Sequence, residues 1–167
     1  WEKFNKWFHW FCGVVVGVSG LASGILVVAA NAWMNSPAGF DYIDGKYLNI
    51  DPIKAMFNEA WFPQAFHMTV AAFAATGFAV AGIHALMILK KRNVNFHTKA
   101  FRISAGFAIV GALLAPISGD VAAKSVAVRQ PIKLAAMEAH FETEKGASFV
   151  IGGIPDEENE QIKYAIK

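Results

Sequence analysis

Cysteine is almost absent from this chain: Cys12 is the only one in 167 residues. That excludes an internal disulfide framework and any zinc or iron–sulfur site built from the chain's own thiolates. Charge is scarce too, at 17% of residues with a net of +2, and a mean hydropathy of +0.37 is too apolar for an ordinary soluble domain. No GxGxxG, P-loop, HExxH, GxSxG or CxxC motif occurs, so nucleotide-binding and soluble hydrolase chemistry drop out. The sequence pI is near 8.7, but the positive excess is small and gathered on no basic face, so no nucleic-acid partner is expected. No signal peptide is visible in the sequence. The chain opens on Trp1 against an amphipathic run and stops at Lys167 without a cap, and both ends read as cuts in a longer polypeptide.

The missing charge is missing in blocks. Trp7 to Phe40, Ala60 to Leu89 and Ile103 to Gly119 contain no Asp, Glu, Lys or Arg. A helix crossing a hydrocarbon layer of about 30 Å needs roughly 20 apolar residues. The expected fold class is therefore all-α: an integral membrane helical bundle with three spans, at about 10–33, 63–89 and 100–118. Residues 1–119 form the transmembrane region, and 120–167 an external segment with a short helix. Trp7, Phe8, Trp10 and Trp33 supply interfacial aromatic belts. The connection from Lys90 to Arg102 holds five cations and no acid, whereas Asn35 to Phe62 holds four acids and two lysines. The basic connection is expected to be cytoplasmic, which puts everything after residue 120 outside a prokaryotic cytoplasmic membrane that the chain crosses several times.

Small residues crowd the spans, in Gly13-xxx-Gly17, Gly20-xxx-Gly24 and the alanine-rich second span, and predict close helix packing. Three helices enclose too little interior for a large ligand, so these faces are expected to meet further helices of the same or another subunit. In the external segment Gln130 to Lys145 reads as a helix with Pro131 in its first turn. A turn-rich stretch follows, with a strand-like run from Ser148 to Ile151.

Few residues can carry chemistry. His67 and His84 lie inside the second span, where an imidazole is costly unless it binds something, such as a haem iron, or bonds a neighbouring helix. They are 17 residues apart, about 25 Å along the axis and about 100° around it, so they cannot serve one cofactor. Ser19, Ser23 and Asn31 share a helical stripe that either conducts protons or hydrogen-bonds its surroundings. Lys133 and Glu138 sit on the external helix, where charges are ordinarily solvated. His9, His97 and His140 read as interfacial or external.

Taken as strings, "GILVVAANAWMNSPAGF" at 24–40, "FHMTVAAFAATGFAVAG" at 66–82, "SGDVAAKSVAVRQPIKLAAMEAHFETEKG" at 118–146 and "IGGIPDEE" at 151–158 resemble subunit I of cytochrome bd-type quinol oxidases. The most specific element is the QPxKLAAxExxFET pattern directly after a membrane span. The resemblance implies the middle of that subunit: its fourth to sixth membrane helices and the start of its quinol-binding loop. By the same resemblance His67 is an axial ligand of the low-spin haem b, Lys133 and Glu138 serve quinol oxidation, and Ser23 and Asn31 lie on a route for protons. A high-spin haem b and haem d belong to the complete subunit. The expected partners are the remainder of subunit I, subunit II, small subunits, membrane lipid and quinol. The chain is not expected to be active alone, because the second ligand of the low-spin haem and the later helices lie outside it. The alternative class is a non-catalytic or split accessory subunit built on the same helices.

Overall fold

The structure, a computed structural model, describes residues 3–143, 145–148 and 150–166. Three long helices dominate: α1 (Lys6–Asn35), α3 (Trp61–Leu89) and α4 (Val94–Arg129). All three are long and apolar enough to cross a membrane. The chain is therefore mostly helical, as the charge-free blocks predict. It also contains two antiparallel hairpins outside an all-α reading, β1 (Asp41–Ile43) with β2 (Lys46–Leu48) and β3 (Gly152–Asp156) with β4 (Gln161–Ile166).

The first hairpin turns on Asp44 and Gly45, both at positive φ. A two-residue Asp-Gly turn with that geometry matches the twist of the flanking strands. Asn49 donates to the Asp41 carboxylate at 2.7 Å and closes the open end. The short helix α2 (Pro52–Met56) follows, its first turn capped by the Asp51 carboxylate, which accepts from the backbone N–H groups of Ile53 and Lys54.

The third span is longer than its apolar core. α4 covers 36 residues, roughly 54 Å at 1.5 Å per residue against about 30 Å of hydrocarbon. Pro116 lies inside it without ending it; the ring removes one backbone donor, and the helix continues until Pro131 forces Gln130 out of helical geometry. A new helix, α5 (Pro131–Met137), starts at that proline. The expected helix to Lys145 stops eight residues early, and Glu144 lies outside the described residues. Ala139 takes a left-handed conformation, the His140 N–H bonds the Ala135 carbonyl and the Ala139 N–H bonds the Ala136 carbonyl. This is a Schellman stop with alanine where glycine is usual. The strand-like run from Ser148 to Ile151 is not a strand at its described positions, and Phe149 lies outside them; pairing begins at Gly152.

The chain divides into two compact units, Trp1–Ala122 and Ala123–Lys167. In the first, α3 and α4 form an antiparallel pair after a tight turn in which Lys91 and Asn93 have positive φ. The pair closes on two glycines. A Cβ on Gly77 would lie 2.8 Å from the Ala108 nitrogen, and one on Gly111 would lie 2.9 Å from the Ala74 nitrogen. The two backbones therefore touch, as small-residue packing in membranes allows. On the other side of α3, Gly24 of α1 receives the Met68 side chain and Asn31 donates to Gln64 at 2.9 Å. The outer faces remain apolar and exposed, with Val16, Val27, Ile103 and Leu113 more than 60% accessible. That surface suits lipid or further helices, not water.

Candidate functional site

His67 occupies the second turn of α3, half-buried, and faces α4 across the glycine contact. Its Nδ1 lies 3.0 Å from the hydroxyl of Ser118, a residue with no accessible surface. The same hydroxyl donates to the Ala115 carbonyl at 3.0 Å. A serine hydroxyl carries one proton and a carbonyl can only accept. Where that proton stays on the Ala115 carbonyl, Ser118 Oγ can only accept from the ring, and a neutral ring then holds its hydrogen on Nδ1 and its lone pair on Nε2. Nε2 makes no hydrogen bond to any described residue. A neutral imidazole with its N–H anchored and its second nitrogen bare is the form that ligates iron. The ring also rests against Gly119, where a Cβ would stand 3.5 Å from Cε1.

Seventeen residues further along α3, His84 has a different partner: its Nδ1 lies 2.7 Å from Nδ1 of His97 on α4. Phe96 stands edge-on to both rings. His84 thus bonds helix to helix. Its partnership with His97, near the turn between α3 and α4, has no signal in the sequence beyond one histidine before the basic connection and one within it.

The other candidates are dispersed. Ser19 returns its hydroxyl to the Val15 carbonyl at 2.7 Å, as serines in apolar helices commonly do. Ser23 is exposed on the same stripe. Asn31 takes part in a small amide network, donating to Gln64 while Asn35 donates to its carbonyl at 2.8 Å. In the second unit Lys133 lies exposed within α5, and Glu138 is the half-buried C-cap residue one turn later. A separation of five residues puts them about 140° apart around a helix axis. A cavity of about 260 Å³ in that unit is lined by His140, Glu142, Ser148 and Gln161 among others, and includes neither. The β3–β4 hairpin is pinned by Asp156, whose carboxylate pairs with Lys163 and accepts from Asn159. The Lys163 ammonium first, then the Asn159 amide, hold that carboxyl below the usual carboxylate range.

Together these features define a class: a membrane-helix protein whose second span carries a half-buried histidine hydrogen-bonded to the third. The sequence profile of cytochrome bd terminal oxidase subunit I matches residues 1–167, and the chain belongs to that family. It is 35% identical over 158 residues to the protein named "Putative cytochrome bd menaquinol oxidase subunit I" of Bacillus subtilis (strain 168), covering 92% of this chain and 35% of that protein. It is 30% identical to cytochrome bd-II ubiquinol oxidase subunit 1 of Escherichia coli (strain K12), covering 100% of this chain and 33% of that one. The solved bd oxidase of Geobacillus thermodenitrificans superposes with a TM-score of 0.84 at 34% identity, over 99% of this chain and 38% of that one. The chain thus spans about a third of the length of these relatives. Membership makes it a protein of the bacterial cytoplasmic membrane, in a family that implies haem cofactors, a quinol substrate and a complex with other subunits.

Proposed function

We propose that this chain is part of a quinol:oxygen oxidoreductase, with His67 an axial ligand of its low-spin haem b through Nε2. The observation that carries the reading is the Ser118 hydroxyl placed between His67 Nδ1 and the Ala115 carbonyl, because it engages Nδ1 and leaves Nε2 on a membrane helix without a partner among the described residues. A haem held there by His67 would supply one-electron redox chemistry. The high-spin haem b and haem d that reduce oxygen to water belong to the remainder of subunit I, with which this chain acts alongside subunit II and small subunits.

Quinol is oxidised at the loop after residue 120, on the external side, releasing two electrons and two protons. The Glu138 carboxylate accepts a proton from a quinol hydroxyl, and the Lys133 ammonium holds the other oxygen or stabilises its developing negative charge. The chemistry of these two side chains and the family pattern around them support these roles. Ser23 and Asn31 contribute to a hydrophilic route for protons drawn from inside, a reading supported by the polar stripe they form on α1.

The complete oxidase carrying Glu138→Ala tests the loop assignment. Quinol oxidation is expected to fall by about 100-fold or more, the typical contribution of a positioned acid or base, while oxygen reduction from an artificial one-electron reductant persists. Equal loss of both activities would overturn it.

A further inference from the structure

We infer that Ser118 is a positioning residue for the haem ligand: its buried hydroxyl locks His67 in the Nδ1–H tautomer and fixes the ring about its axis. This rests on the reading of His67 as the ligand. Three observations support that role. It is fully buried in a helix that is otherwise largely exposed. Its single proton is spent on the Ala115 carbonyl, so its oxygen has only acceptance to offer the ring. The next residue is Gly119, so the imidazole edge lies against bare backbone while Nδ1 meets the hydroxyl.

An unbraced imidazole in an apolar site can exchange tautomers and rotate about its Cβ–Cγ bond. With Nδ1–H donated to a fixed oxygen, both freedoms are lost, and ring electron density shifts toward Nε2. Metal-bound histidines are generally oriented in this way by a carboxylate, carbonyl or water. A neutral hydroxyl does so without placing a charge beside the iron in the hydrocarbon layer, where an uncompensated carboxylate would be costly. Extra density at Nε2 favours the ferric state, so removing the hydrogen bond raises the midpoint potential.

The test uses the intact oxidase with Ser118→Ala, Ser118→Thr and His67→Ala, read by redox titration of the low-spin b absorbance and by the ferric low-spin resonance. Ser118→Ala is expected to keep the low-spin absorbance, move its midpoint upward and broaden the resonance. Ser118→Thr, which restores a hydroxyl, is expected to return both toward the parent values. A Ser118→Ala oxidase with parental midpoint and line width overturns the inference, as does a haem-loaded Ser118→Thr enzyme that behaves like the alanine variant. His67→Ala separates the two readings. If it retains the low-spin signal, the ligand assignment itself fails; if it loses the signal while Ser118→Ala changes nothing, only the role of Ser118 fails.

Discussion

The two ends of the α3–α4 pair carry the same chemical group in different company. At one end His67 meets a serine; at the other His84 meets a second histidine. Serine is an asymmetric partner with one proton already spent, so it dictates which ring nitrogen keeps hydrogen. A second imidazole is a symmetric partner: either ring can donate and either can accept, and the pair has two equivalent proton arrangements. Residue type and burial are similar at both ends. Both contacts tie α3 to α4, and the partner decides whether the proton arrangement of the imidazole is fixed or open.

The contrast is broken most directly in the complete oxidase. His67→Ala is expected to abolish the low-spin b absorbance, whereas His84→Ala leaves it at full height; loss in both variants would show that the two ends are not different in kind. Next in size is Gly77→Val, which drives side-chain atoms into the Ala108 backbone between the two ends. Overpacking of this kind costs about 1–3 kcal/mol, to be read as a lower thermal midpoint in detergent together with a disturbed low-spin signal. If His67 and Ser118 are held by helix register, both readouts move together; a fall in stability with an untouched signal would show the ligand end to be independent of the glycine contact.

The smallest effect lies off the pair, at Asp156, and serves as the control. Its carboxyl is depressed by Lys163 and Asn159, so the ionised form is favoured in the folded hairpin. That stabilisation is complete above the carboxyl's unfolded pKa and is lost as pH falls through its lowered folded value. Acidification below about pH 4, near the unperturbed aspartate value, should loosen β3–β4 in the parent. Asp156→Asn should flatten the response, measured by amide exchange in residues 152–166, without altering the low-spin signal at neutral pH.

The three long helices were legible because uncharged blocks of this length have little else to become. Their true extent was not. The hydrocarbon criterion measures the membrane, and α4 runs on through residues that are polar enough for water yet still favour helix. Asp44-Gly45 is a turn signal in the sequence itself, whereas the stop at Ala139 has none, since an alanine in left-handed geometry is imposed by the backbone bonds around it. At the site, His67 was visible as an unusual residue in a membrane span. Ser118 was invisible because it lies 51 residues away and meets the ring only through the register of two antiparallel helices. Lys133 and Glu138 stood out only as part of a motif; spacing alone gave no reason to join them.

The glycine contact between α3 and α4 also bears on the order of assembly. Gly77 and Gly111 each rest against an alanine of the opposing helix, leaving no room between them for a further side chain. Such a pair can associate as soon as both helices are in the bilayer, in keeping with a two-stage course in which insertion precedes docking. The entropy of confining the His67 side chain is then lost when the helices dock. On the proposed ligand reading, a cofactor that binds after docking meets a wall already formed, and its capture draws less on binding free energy than capture by a wall it had to organise itself.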